Sequence, residues 1–112
     1  PPQAEVVSER HQLFADQADG SVRIVDADTG ALVHVLAPGT NGFTRSLMRG
    51  MARERTRSGV GAKVPFTLIL WDDGRLTLRD PATGRRVFLN AFGVDNVDDF
   101  AALLPRQEGN PS

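Results

Sequence analysis

The sequence predicts an α+β fold in which two tandem βββα repeats, each an antiparallel β-meander followed by a helix, form one compact domain. The first observation is self-similarity. Aligned on itself at an offset of 54 residues, the chain pairs Asp19-Gly20 with Asp73-Gly74, Asp26 with Asp80, and Thr29-Gly30 with Thr83-Gly84. The second is that the apolar positions coincide too, with Val22 and Ile24 on Leu76 and Leu78, Val33 on Val87 and Val35 on Leu89. The third is alternation: apolar and polar residues follow each other at the period of a half-buried strand. Asp-Gly pairs stand between such runs, where glycine supplies the positive φ that a hairpin turn needs.

The alternation places strands near residues 12–16, 21–26 and 31–36 in the first copy, and 64–71, 75–79 and 86–90 in the second. In the second turn of each copy, Asp26 or Asp80 can accept hydrogen bonds from backbone N–H groups two or more residues on, and Gly30 or Gly84 can take a left-handed position. Asp19, Gly20, Asp26, Gly30, Asp73, Gly74, Asp80 and Gly84 are therefore read as structural turn residues. A helix is expected from about Phe43 to Arg57, after the breaker Pro38-Gly39, with Phe43, Leu47 and Met51 on one face and Gly59 able to end it. A second is expected after Asn96, which can cap it. Asp98 and Asp99 suit its first turn, Phe100, Ala101, Leu103 and Leu104 form its apolar side, and Pro105 stops it. The polar, Pro- and Gly-rich flanks read as a linker over residues 1–10 and a disordered tail over 106–112, leaving one domain over 11–105 made of repeats 11–58 and 64–105.

Composition narrows the function classes. A chain of 112 residues has room for one small core, which makes deep pockets hard to fit. Thirteen Lys and Arg against 14 Asp and Glu give a net charge of −1, so no global field draws the chain to nucleic acid or an anionic membrane. The absence of cysteine removes disulfides, thiolate metal sites and thiol nucleophiles. No apolar stretch approaches the roughly 20 residues of a spanning helix. The chain opens on Pro1-Pro2 without methionine, and the expectation is that a preceding membrane segment is missing, with residues 1–10 as the linker from it.

Candidate chemistry is sparse. Val22-Arg23-Ile24-Val25-Asp26-Ala27-Asp28-Thr29 matches an apolar strand followed by D-x-D-x-T, the pattern that carries the aspartyl nucleophile and its acid/base partner in haloacid-dehalogenase-like phosphatases. That chemistry needs a parallel sheet and a following helix, whereas another strand follows here, and the second copy reads Asp80-Pro81-Ala82-Thr83 without the second carboxylate. Turn chemistry accounts for these residues, and a small phosphatase-like enzyme using Asp26 and Asp28 is the alternative. A small-ligand or pigment-binding β-rich module is another, with His34 as the most obvious ligand. His34 falls on Phe88 in the self-alignment, however, which suits a packing position. No catalytic, cofactor-binding or metal-binding residue is assigned.

Charge is concentrated in one place. Arg45, Arg49, Arg53, Arg55, Arg57 and Lys63 face one acid, Glu54, and Arg45, Arg49, Arg53 and Arg57 form a stripe at i, i+4 spacing opposite Phe43, Leu47 and Met51. Guanidinium forks bind carboxylate and phosphate well, so this stripe is the candidate surface for acidic protein segments or lipid headgroups. Trp71, beside the acidic turn Asp72-Asp73-Gly74, is the second candidate contact.

These residues together carry a resemblance. Asp19-Gly20-Ser21-Val22, Asp26-Ala27-Asp28-Thr29-Gly30, Pro38-Gly39 and Gly42-Phe43-x-Arg45 look like the photosynthetic complex assembly proteins of purple bacteria, the PuhC type. So do Pro65-Phe66, Trp71-x-Asp73-Gly74-Arg75-Leu76-Thr77-Leu78, Asp80-Pro81-x-Thr83-Gly84-Arg85 and Ala91-Phe92-Gly93 followed by Asn96 and Phe100, over about residues 12 to 104 in all. The resemblance implies a bitopic protein with one transmembrane helix, of which this chain is the periplasmic domain at the inner, photosynthetic membrane. It implies a non-enzymatic assembly factor for the reaction centre and its light-harvesting 1 antenna, with those subunits as partners. Nucleic acid is not expected, on the near-neutral charge and the 6% aromatic content, and no cofactor is assigned.

Overall fold

The computed structural model describes residues 4–61 and 63–92. Six strands, β1 (Val6–Asp16), β2 (Val22–Asp26), β3 (Leu32–Leu36), β4 (Phe66–Trp71), β5 (Leu76–Arg79) and β6 (Arg86–Phe88), form one antiparallel sheet in the order β3-β2-β1-β4-β5-β6. One helix, α1 (Gly42–Arg57), and one turn of 3-10 helix, Leu89–Phe92, complete the described residues.

This corrects the expected architecture of two tandem βββα repeats. The two meanders are not separate units, because β1 is 11 residues long and joins them. Its C-terminal part pairs with β2, from Gln12 opposite Asp26 to Asp16 opposite Val22, and its N-terminal part pairs with β4, from Val6 opposite Trp71 to Gln12 opposite Phe66. Residues 6–10, expected as linker, are therefore strand. Non-local pairing supplies the backbone partners that their own polar sequence does not advertise. A single α-helix is present among the described residues, and the helix expected after Asn96 and the tail at 106–112 lie outside them. The sixth strand ends at Phe88 rather than Asn90. The chain then turns into the 3-10 segment, and Asn90 Oδ1 accepts the Leu76 N–H at 2.7 Å.

The turns follow from local chemistry. Gln17 N–H donates to Ser21 O and Gly20 N–H to Gln17 O; Trp71 N–H donates to Arg75 O and Gly74 N–H to Trp71 O. Both hairpins thus close the same way, with Gly20 and Gly74 at φ 90° and 85°, a region that costs an L-residue about 1–2 kcal/mol. Asp19 accepts the Ser21 N–H and hydroxyl at 2.9 and 2.6 Å, and Asp73 accepts the Arg75 N–H and Nε–H at 3.1 and 2.6 Å. These bonds to the charged form hold both carboxyls below the usual range, against a smaller opposing effect of desolvation.

Helix α1 begins after Asn41, which adopts a left-handed conformation, and ends in a Schellman motif. Val60 N–H reaches back to Arg55 O at 2.9 Å, Gly59 N–H reaches Thr56 O at 3.1 Å, and Gly59 has φ 73°. Met51 is buried, with Phe43, Leu47 and Met48 packed against the same core. That core comprises Val22, Ile24, Leu36, Phe66, Leu68, Leu76, Leu78, Val87 and Leu89 from the sheet and the 3-10 turn. Burying each such side chain contributes about 1.5–3 kcal/mol. Because side chains alternate along a strand, Phe66, Leu68 and Leu70 face α1 while Thr67, Ile69 and Trp71 face the other way.

Candidate interaction surface

The six cations between residues 45 and 63 do not form one surface, because two of them belong to the fold. Arg45 wraps the N-terminal turn of α1 onto the loops of the first meander. Its Nη1 donates to Gly20 O at 3.0 Å, its Nη2 to Leu36 O and Ala37 O at 3.2 and 2.6 Å, and its Nε to Thr40 O. A guanidinium whose donors are taken up by main-chain carbonyls offers little to a partner. Arg55 lies among the core residues at 4% exposure, its Cζ 3.9 Å above the centre of the Phe66 ring.

The partner of Arg55 is Asp80, which is fully buried. Nε donates to Oδ2 at 2.7 Å and Nη2 to Oδ1 at 2.9 Å, a bidentate fork, while Oδ1 also accepts the Ala82 N–H at 2.9 Å. Burial pushes the Asp80 carboxyl upward, but the Arg55 hydrogen bonds, the Ala82 N–H, the Arg55 charge and the Thr83 hydroxyl outweigh it and hold the group below the usual carboxylate range. Asp80 therefore holds the Ala82 N–H in its turn and also anchors α1 to the second meander. Sequence alone counts Arg55 with the other cations of this segment, although its spacing sets it apart. Phe43, Leu47, Met51 and Arg55 are spaced at i+4, so Arg55 continues the apolar face rather than the arginine stripe.

Arg49, Arg53 and Arg57 remain on the exposed side of α1, with no ion pair or hydrogen bond among the described residues. Spaced at i, i+4 and i+8, they form a ladder of like charges whose neighbours repel at a cost of about 0.2–0.5 kcal/mol per pair. Beside them a cleft of about 270 Å³ runs between α1 and the sheet, lined by Phe14, Val22, Leu36, Met48 and Arg49 among others. This volume lies at the lower limit for small-molecule sites, and His34, exposed on β3, is not among its lining residues.

Trp71 does not join the arginines. It stands on the sheet face opposite α1, half-buried, with its indole N–H donating to Thr77 Oγ1 at 2.9 Å. Asp26 and Asp28 sit in a turn. Asp26 Oδ1 accepts the Asp28 and Thr29 N–H groups at 2.8 and 3.1 Å, Oδ2 is 3.7 Å from Arg10, and the exposed Asp28 hydrogen bonds His11 Nδ1 at 3.0 Å. Desolvation pushes the Asp26 carboxyl up, but the two N–H donors, Arg10 and the Thr29 hydroxyl prevail and lower it. The sheet around them is antiparallel throughout, unlike the parallel framework that the phosphatase pattern requires. Among the described residues no cluster of three or more His, Asp or Glu side chains could hold a metal, and no helix is long and apolar enough to cross a membrane.

Comparison with known proteins supplies the context. The chain is 30% identical over 104 residues to an uncharacterised 17.4 kDa protein in the puhA 5′ region of Rhodobacter capsulatus, covering 93% of this chain and 62% of that protein. The chain thus spans less than two thirds of the length of that relative. No solved structure matches it. The profile of one family matches residues 7–108, from the first residues of β1 past the end of the described sheet, and on that match the chain belongs to the family described as photosynthetic complex reorganisation protein PuhC.

Proposed function

We propose that this domain is a protein-docking module that serves the assembly or reorganisation of the photosynthetic complex, without catalytic turnover. It acts at the periplasmic face of the membrane and holds acidic ends of light-harvesting 1 or reaction-centre subunits while the complex closes. The family match supports the photosynthetic context. The observation that carries the docking role is the triad Arg49, Arg53 and Arg57, three exposed guanidinium groups on a helix that Arg45 and Arg55 fasten at both ends. A fastened helix presenting unpaired forks at regular spacing loses little backbone freedom on meeting carboxylates, which the forks can bind bidentately. Tethering such a module beside its targets raises their effective concentration without requiring tight binding.

The test is a pull-down with the 112-residue chain as bait and detergent-solubilised photosynthetic membranes as prey, read by mass spectrometry. Antenna or reaction-centre subunits are expected in the bound fraction. They should be lost when Arg49→Glu, Arg53→Glu and Arg57→Glu are combined in a chain that still melts cooperatively. Undiminished recovery by that folded variant would eliminate the α1 surface as the contact.

A further inference from the structure

The face of the sheet turned away from α1 carries a second feature that the arginine helix does not explain. In the register of β5 and β6, Arg79 stands directly opposite Arg86, and Thr77 opposite Phe88. Like charges in directly opposed positions destabilise a sheet. Neither guanidinium has an ion pair among the described residues, and the Nε of Arg79 is buried without any hydrogen-bond partner. A buried charged donor left unmatched costs free energy unless an acceptor arrives. Next to the pair lie Glu9, Ile69, Trp71 and Phe88, the last 57% exposed, around a hollow of about 250 Å³, with the Glu9 carboxylate turned to His11 Nε2 at 3.5 Å. An oxyanion brought to Arg86 would offset the opposed charges of Arg79 and Arg86, and an apolar group over Phe88 would cover the exposed ring.

The backbone decides what kind of molecule brings both. β6 is the outermost strand among the described residues, and a sheet edge presents main-chain N–H and C=O groups to a further strand. In an added strand, alternate residues fall on one face, so the side chain facing Arg86 and the one facing Phe88 are two positions apart. We propose that the β6 edge and the adjoining face take an extended segment of a partner polypeptide carrying a carboxylate two residues from an apolar side chain. The carboxylate meets Arg86, with Arg79 one strand further in, and the apolar group sits on Phe88 at the rim of the hollow that Trp71 also lines. This surface lies on the opposite side of the sheet from α1, so it does not depend on the docking role given to Arg49, Arg53 and Arg57.

The chain contains one Trp and no Tyr, which makes Trp71 emission a direct reporter of this face. The probe is the blocked peptide Glu-Thr-Leu-Thr-Glu-Thr-Leu, titrated into the 112-residue chain beside the same peptide with Gln for Glu and beside phosphatidylglycerol vesicles. A saturable change in Trp71 emission is expected with the Glu peptide. Affinity should fall about tenfold or more for the Gln peptide and for Arg86→Gln, the size of a lost charge-assisted hydrogen bond. Because Arg86 is exposed, that variant should keep its melting temperature, and Phe88→Ser gives an independent check with a similar loss. The combined Glu variant of Arg49, Arg53 and Arg57 should bind the peptide unchanged. No saturable response, equal affinity for the Gln peptide, an unaffected Arg86→Gln chain, or a response to the vesicles alone would each overturn the proposal.

Discussion

Asp26 and Asp80 occupy corresponding turns, yet they do different work. The carboxylate of Asp26 accepts two backbone N–H groups further along its turn and that of Asp80 accepts one, and each turn closes with a donor pair of the same pattern: Asp26 N–H to Ala31 O and Gly30 N–H to Asp26 O, Asp80 N–H to Arg85 O and Gly84 N–H to Asp80 O. The difference is in what approaches from outside. Asp26 meets Arg10 at 3.7 Å with both side chains partly in solvent, whereas Asp80 is sealed under α1 against the fork of Arg55. A local motif that suffices for a turn thus becomes, in one of its two settings, the point that fastens the helix. The lesson is that equal turn chemistry does not imply equal energetic weight.

The largest effect expected from this contrast is in stability. Removing one member of a buried ion pair leaves the other charge uncompensated, at a cost of about 3–5 kcal/mol. Asp80→Ala and Arg55→Ala should each lose that much in urea denaturation, while Asp26→Ala should lose about 1 kcal/mol, the size of an ordinary hydrogen-bonding contribution. Similar losses at the two aspartates would break the comparison.

The pH dependence sharpens it. The folded-state pKa of Asp80 lies below its unfolded value, so the unfolded chain binds the proton first as pH falls. The stability that Asp80 contributes is fully present above the ordinary carboxylate pKa of about 3.9 and is lost as pH falls through the lower folded value. Asp26, also lowered, adds to the same acid limb. The double variant Arg55→Met, Asp80→Leu should flatten that limb, because it removes both charges and fills the space with apolar atoms. If the variant keeps the full acid loss, Asp80 is not its main source.

A smaller effect separates the arginines of α1 from one another. Arg45→Met should cost about 2 kcal/mol through its lost carbonyl contacts, the range for hydrogen bonds to a charged group. The combined Glu variant of Arg49, Arg53 and Arg57 should stay within about 0.5 kcal/mol of the parent, as for surface changes away from such contacts. Calorimetric melting reads both. A large loss in the triple variant would show that these side chains hold the fold as well.

Much of the local structure was legible because it depends on neighbours in sequence. The Asp-Gly and Thr-Gly turns, the alternating strands and the span of α1 each follow from a few adjacent residues, as the Asp19 and Asp73 turns show. The first half of β1 was not legible, since Val6–Arg10 reads as a polar flank and becomes strand through pairing with β4. Arg45 likewise belongs to the exposed stripe by spacing alone, because its acceptors at Gly20 and Leu36 lie 25 and nine residues away.

The amino-acid sequence by itself determined the turns, the alternation that separates core from surface, and the amphipathic helix, because backbone sterics and hydrophobic periodicity act within a few residues. Tertiary structure alone decided that the two meanders share one sheet, that Arg55 goes inward to Asp80, and that Trp71 lies on the face away from the arginines. The reason is that strand pairing and buried ion pairs join residues far apart in the chain, and only the folded arrangement sets which of several equivalent charges meets its partner.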